Sequence, residues 1–186
     1  MIGYAFCGSF CTHRESLKQL NNLISIGYDV LPIMSETAFS TDTRFGESKK
    51  LQMKIKELCN RDIVHTIVEA EPLGPKISLD ALVICPCTGN TLAKMAHGIT
   101  DTAVTMAAKA HLRSDRPIVI SLASNDALSA NMKNIAQLLS RKHVYFVPMA
   151  QDDPISKPHS LVANFELLLP TLESALKCKQ YQKVFI

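Results

Sequence analysis

The feature of this sequence that most restricts its fold is the alternation of short apolar runs with amphipathic stretches. The apolar runs have strand length and are Ile2–Cys7, Tyr28–Met34, Ala81–Cys85, Pro117–Leu122 and Val144–Val147. When a helix lies between two strands of one sheet, the strands are joined by a parallel crossover. The pattern therefore predicts one α/β domain over residues 1–186, a doubly wound parallel sheet with helices on both faces.

Some local signals refine this prediction. Thr12 and Glu15 have the spacing of a capping box at the start of the first helix. The segment Ile63–Val68 is interpreted as a short strand or an irregular edge. A last helix is expected from about Ser160, and Pro170 should kink or divide it because proline has no backbone N–H.

Composition excludes several classes of function. The net charge of +3 is small and scattered, which gives no indication of a nucleic-acid partner. The apolar run Ile2–Cys7 is too short for a secretory signal and no apolar run has membrane-spanning length, so neither secretion nor membrane association is expected. The six cysteines are irregularly spaced, which predicts reduced thiols in a cytoplasmic protein and no metal site.

The loop after the first strand has the residues of a phosphate site. Ligands of doubly wound sheets bind outside the carboxyl ends of the strands. Gly8 permits a tight turn, and Ser9 and Thr12 supply hydroxyl groups at a helix start, where free N–H groups favour an anion. A plain turn with a helix cap explains the same residues. The spacing G-x-G-x-x-G is absent, which disfavours a nicotinamide site in this chain.

Three later strand ends carry similar small polar residues. Ser35 follows the second strand, and Ser124 with Asn125 follows the fourth. The loop after Cys85 can present hydroxyl, amide and backbone donors to a planar ring or a polyol chain. Its candidate residues are Pro86, Cys87, Thr88, Gly89, Asn90 and Thr91. Four such loops on one edge predict a cofactor cleft, and residues 151–159 are interpreted as a cover for it or as a partner contact.

These segments together carry a family pattern that runs along nearly the whole chain. The segments are Gly8-Ser9, Ser35, Thr43–Glu47, Ala70–Lys76, Pro86–Thr91, Asp101-Thr102, Met106–Ala110, Asn125–Met132 and Gln151–Pro154. They resemble the flavoprotein family of homo-oligomeric flavin-containing decarboxylases and flavin prenyltransferases. The resemblance implies a flavoprotein-type, Rossmann-like fold. It also implies FMN bound by the strand-end residues above, and a trimer or a multiple of a trimer.

Within that family, the pattern is similar to one subunit of a two-component synthase of spore-forming bacteria. This implies an oxidoreductase subunit that acts with a second, NAD(P)-binding subunit. The pair would oxidise a dihydropyridine dicarboxylate to pyridine-2,6-dicarboxylate. A small dicarboxylate needs cations, and the candidates for this catalytic role are Arg44 and Lys76. A surface position is the alternative interpretation of each.

The chain departs from the decarboxylases of the family at three points. It has no tryptophan, His65 stands in a different context from their histidine, and their Asn-Met-rich motif appears only in rearranged form at Asn125–Met132. Two alternatives therefore stay open. One is a separate FMN-dependent decarboxylase or prenyltransferase, and the other is a non-catalytic subunit with a degenerate flavin site.

Overall fold

The structure, a computed structural model, describes residues 1–186 and contains one seven-stranded sheet. Five strands are parallel in the order β2-β1-β3-β4-β5, and two short strands pair antiparallel beyond β4. The strands are β1 (Ile2–Phe6), β2 (Val30–Met34), β3 (Ala81–Thr88), β4 (Ile118–Ser124), β5 (Val144–Phe146), β6 (Met149–Ala150) and β7 (Leu161–Ala163). The carboxyl-terminal half of β4 pairs with β7, and its amino-terminal half pairs with β5.

Eight α-helices cover the sheet. They are α1 (His13–Ser25), α2 (Glu36–Ser40), α3 (Ser48–Cys59), α4 (Ile67–Ala70), α5 (Gly89–Ala96), α6 (Ala103–Leu112), α7 (Met132–Leu139) and α8 (Leu168–Ala175). Short 3₁₀ turns precede α1 and α8. None of these helices is both long and apolar enough to span a bilayer.

Two apolar cores hold the layers together, one on each face of the sheet. The core on one face packs α4, α5, α6 and α7 against strand residues such as Ile84 and Ile120. The core on the other face packs α1, α2, α3 and α8 against residues such as Tyr4 and Val83. The strands are buried on both faces, which explains why they are continuous apolar runs in the sequence.

The doubly wound architecture predicted from the sequence is confirmed for the five parallel strands. The chain leaves β1 towards β2 on one side, and β3 lies on the other side of β1. The order of the strands therefore reverses between β1 and β3, which is the switch point where such sheets bind ligands.

The carboxyl-terminal part of the chain differs from the prediction. Residues from Ser160 lead into β7 and not into a helix, and α8 begins only at Leu168. Pro170 lies in the first turn of α8, where backbone N–H groups have no partner inside the helix, so it neither kinks nor divides the helix. The segment Ile63–Val68 is partly an edge of the sheet and partly a helix. Val64 forms one parallel bridge with Ile33, and α4 begins at Ile67.

The expected capping box at Thr12 is wrong. The Thr12 hydroxyl donates to the carbonyl of Ser9 at 2.9 Å and makes no capping bond to α1. The cause is the 3₁₀ turn Phe10–Thr12, which places Thr12 in a helical conformation and points its side chain back towards Ser9.

Candidate cofactor site

A cleft of about 560 Å³ lies at the switch point of the sheet. Its walls are the loops that follow β1, β3 and β4, together with part of the segment between β6 and β7. Many of the residues proposed from the sequence line it, namely Gly8, Ser9, Thr12, Thr88, Gly89, Asn90, Ser124 and Asn125. The volume falls in the range of small-molecule sites.

The loop after β1 forms one wall and offers donors to a ligand. The backbone N–H group of Gly8 has no partner within the protein. The same is true of the N–H group of Asn125 on the loop after β4. The hydroxyl groups of Ser9 and Thr12 lie 3.1 Å apart beside them. A Cβ at Gly8 would approach the Thr37 methyl group to 3.2 Å, so this loop packs closely against α2. The wall is suited to a polar or anionic group.

The end of β3 and the start of α5 form the next wall. Thr88 caps α5 because its hydroxyl accepts the N–H of Thr91 at 3.2 Å. The hydroxyl of Thr91 is buried and donates to the Cys7 sulfur at 3.3 Å. Thr91 therefore joins the ends of β1 and β3 beneath the cleft and does not line it.

A carboxylate that was not among the candidates from the sequence organises the third wall. Asp126 accepts from the Ser124 hydroxyl at 2.5 Å and from the Asn131 amide at 2.9 Å to each carboxylate oxygen. These hydrogen bonds, that of Ser124 first, lower the pKa of Asp126. Gly89 fits tightly against this group, since a Cβ there would lie 2.5 Å from the Ser124 oxygen. Both Asp126 and Asn131 fall within the family pattern of the sequence, but no spacing within it marked either residue.

The segment between β6 and β7 contributes an ion pair to the cleft. Lys157 donates to Asp152 at 2.7 Å, and both residues line the cleft. This is the segment that the sequence suggested as a cover or a partner contact. Counting Asp126 with this pair, the charged side chains of the cleft carry a net charge of about −1 near neutral pH.

The other proposed residues lie outside the cleft. Ser35 is buried and caps α2, where its hydroxyl accepts the N–H of Ala38 at 3.2 Å. Pro86 and Cys87 belong to β3 itself and not to a loop, and Cys87 is buried. Their contribution is to the shape of the strand below the cleft.

The two proposed substrate cations lie in different places. Arg44 is exposed in the loop before α3, and its guanidinium lies 4.9 Å from the ring centre of Phe45, which lines the cleft. Lys76 is exposed. Its neighbour Gly74 packs against the backbone of Ala110, which places this segment near the carboxyl end of α6. That is the amino-terminal edge of the sheet, so Lys76 does not reach the cleft of its own chain.

Glu36 also binds a helix start near the cleft. Its carboxylate accepts the N–H of Ala103 at 3.1 Å, which neutralises part of the positive end of α6.

Next to the loop after β1, Nε2 of buried His13 lies 2.7 Å from the Cys7 carbonyl and therefore carries a proton. Burial lowers the pKa of His13, so the ring is neutral at physiological pH. Burial also raises the pKa of the Cys7 thiol to about 11.

A second cavity of about 400 Å³ adjoins the cleft. It lies between α1, the loop after α2, and α3. The two cavities share Phe10, Cys11 and Phe45 as a common wall.

Comparison with known proteins gives the class to which this fold and cleft correspond. Residues 2–164 match the model of the family described as Flavoprotein. The chain belongs to that family, as the sequence had indicated.

Particular relatives lie closer still. The chain is 43% identical over 185 residues to the B subunit of dipicolinate synthase from Bacillus subtilis, covering 100% of this chain and 92% of that protein. The crystal structure of the B subunit of dipicolinate synthase from Bacillus halodurans superposes with a TM-score of 0.91 at 46% identity, covering 100% of this chain and 95% of the other. These matches confirm the particular resemblance predicted from the sequence.

More distant structures share the fold. A dodecameric FMN-dependent UbiX-like decarboxylase from Escherichia coli O157:H7 superposes with a TM-score of 0.64 at 21% identity, covering 80% of each chain. Its name reports FMN for that protein. At this identity the likeness shows the fold alone.

The residues of the cleft fit FMN. The free N–H group of Gly8 and the hydroxyl group of Ser9 suit the phosphate end, and the Thr12 hydroxyl lies 3.1 Å from that of Ser9. The Asp126 carboxylate would repel a phosphate, but it can accept hydrogen bonds from hydroxyl or ring N–H groups. The β1 loop thus offers donors to an anionic group, and the β4 loop offers a carboxylate acceptor.

Proposed function

We propose that this protein is the B subunit of a dipicolinate synthase and that it binds FMN in the cleft at the switch point. The observation that carries the proposal is the full-length likeness to the B subunits of two dipicolinate synthases, in a chain whose strand-end loops form a polar cleft. The reaction would be the oxidation of dihydrodipicolinate to dipicolinate during sporulation. In it the dihydropyridine ring loses a hydride and a proton and becomes aromatic.

The residues of the cleft would bind and orient the cofactor. Bound there, FMN would supply a two-electron acceptor for the hydride. Gly8 and Ser9 would hold its phosphate and Thr12 would orient Ser9, while Asn90 and Asn125 offer side-chain amides to its polar edge.

Buried groups below the cleft would keep the site rigid. The hydrogen bond from Thr91 to Cys7 ties the start of α5 to the end of β1, and Ser35 caps the start of α2. Ser35, Pro86, Cys87 and Thr91 would therefore support the cofactor-binding loops from below. A site held on strand ends positions a ligand more accurately than one held on a free loop.

One substrate cation would be Arg44, at the rim that the cleft shares with the second cavity through Phe45. It is exposed beside Phe45 at the rim of the cleft, where a carboxylate can reach its guanidinium. Lys76 could meet a substrate only at a contact between chains, since it lies at the opposite edge of the sheet.

The partner would be the A subunit, which would hold NAD(P), and the B subunit would assemble as a trimer or a multiple of it. The name of the relatives implies an A subunit, and one distant relative is a dodecamer. All six cysteines are free thiols, which supports a location in the reducing cytoplasm.

The proposal is tested by reconstitution with the A subunit. The purified chain, with and without added FMN, is mixed with the A subunit, NAD(P) and dihydrodipicolinate, and the ultraviolet absorbance of dipicolinate is followed. Product formation that requires both proteins and rises with FMN supports the proposal. Full activity of the A subunit alone would contradict it.

Activity that requires this chain but is unchanged by FMN, with colourless protein, would contradict the cofactor assignment. That result would favour a non-catalytic subunit with a degenerate flavin site. Turnover by this chain alone would favour an independent enzyme of the family.

A further inference from the structure

The second cavity has a different charge from the cofactor cleft. Its charged side chains are Arg14 on α1, Glu47 just before α3, and Lys50 and Lys54 on α3. Glu47 is the only acidic residue among them, and Lys50 donates to it at 2.7 Å. Arg14 and Lys54 form no salt bridge within the chain. The cavity therefore carries a net charge of about +2, whereas the cleft carries about −1.

The uncharged walls of this cavity are apolar and partly aromatic. Leu17, Ala38 and Leu51 come from three helices, and Phe10 and Phe45 are shared with the cleft. Buried His13 packs edge-on against Phe10 at 5.4 Å between ring centres. Flat apolar walls with two unpaired cations suit a planar ring that carries more than one negative charge.

We propose that this second cavity binds a small planar aromatic dicarboxylate, with Arg14 and Lys54 as the cations that bind its carboxylates. The inference rests on the proposed function and names the place in this chain where that class of substrate or product binds. Arg14 can bind a carboxylate through two parallel N–H groups, and Lys54 acts as a point charge.

The side of the cofactor cleft that carries the two aspartates would disfavour the same dianion. Asp126 and Asp152 both line the cleft, and only Lys157 offsets them. Because the two cavities share a wall, a ring bound in the second cavity lies beside the cleft. A molecule held there is placed next to the cofactor without competing for its site.

The test is direct binding of pyridine-2,6-dicarboxylate to the full chain. Equilibrium dialysis with ultraviolet detection gives the dissociation constant for the wild type, for Arg14→Gln and for Lys54→Gln. Lys49→Gln is the matched control, since Lys49 is an exposed lysine of the same helix that does not line the cavity. Loss of one charge-assisted contact should weaken binding about tenfold in each test variant and by less than about twofold in the control.

Ligand charge gives a second measurement. Benzene-1,3-dicarboxylate should compete with the probe, and benzoate should compete about tenfold more weakly because it engages one cation only. Equal competition by both compounds would overturn the proposal. So would an absence of saturable binding up to about 10 mM, or equal affinity in all three variants.

A titration of the same variants with FMN separates this inference from the proposed function. Unchanged FMN affinity is expected in Arg14→Gln and Lys54→Gln. If both variants lose FMN, the cavity belongs to the cofactor and the proposal fails. If the wild type binds the dicarboxylate but neither binds FMN nor activates the A subunit, the proposed function fails while the cavity assignment stands.

Discussion

Replacement of Gly89 by alanine tests how closely the walls of the cleft fit. A Cβ at this position would lie 2.5 Å from the Ser124 oxygen, 2.6 Å from the Asn131 amide nitrogen and 2.9 Å from an Asp126 oxygen. All three contacts are shorter than a carbon atom tolerates, and Ser124 and Asn131 both donate hydrogen bonds to Asp126. The added methyl group must therefore displace this cluster, and all three of its residues line the cleft.

The magnitude follows from two opposing effects. Overpacking costs about 1–3 kcal/mol, whereas alanine in place of glycine favours a helix by at most about 1 kcal/mol. The free energy of unfolding should fall by about 1–2 kcal/mol, which corresponds to a Tm lower by about 2–8 °C for a chain of this size. FMN affinity should fall by about tenfold, because the displaced side chains line the cleft.

Circular dichroism melting and an FMN fluorescence titration measure the two quantities. The same substitution in a Ser124→Ala background is the control, because it removes the atom at 2.5 Å. The cost of Gly89→Ala should then be smaller, which a double-mutant cycle detects. A Tm equal to or above that of the wild type, with unchanged FMN affinity, would refute the packing described here.

The other predictions concern caps, thiols and pH. Thr88→Ala removes the cap of α5, so it should lower the free energy of unfolding by about 1 kcal/mol and weaken FMN binding. Thr66→Ala removes the cap of α4 away from the cleft, so it should lower stability alone. Equal loss of FMN affinity in both variants would contradict this. Iodoacetamide should modify exposed Cys11 and Cys178 in the native protein, and FMN should protect only Cys11, as mass spectrometry can show. Hydrogen bonds lower the pKa of Asp126 in the folded protein. Its contribution to stability is therefore complete at a pH above the pKa of the unfolded state, and it is lost as the pH falls through the lower pKa of the folded state. Between about pH 4 and pH 2, Asp126→Asn should therefore lose less stability than the wild type in urea titrations, and equal losses would contradict the assignment.

The parallel part of the sheet could be predicted because each of its strands is a run of buried apolar residues. The two antiparallel strands could not, since Met149–Ala150 and Leu161–Ala163 are too short to carry a periodic pattern. The same shortness led to a helix being predicted from Ser160.

The position of the site could be predicted, but its electrostatics could not. Chain order alone brings Gly8, Thr88 and Asn125 to one edge, because each lies at or just beyond the end of a parallel strand. Lys76 precedes β3, so the same rule would have placed it at the opposite edge. The pairing of Asp126 with Asn131 depends on how the turn after β4 folds back, which no residue spacing specifies.

The most direct test of the central claim is an FMN titration of the purified protein, followed by absorbance and by quenching of flavin fluorescence. The structure predicts saturable binding of one FMN per chain, weakened by Ser9→Ala and Asn125→Ala and unchanged by Lys76→Ala at the opposite edge. An absence of saturable binding, or equal binding by all of these variants, would contradict a flavin site in this cleft.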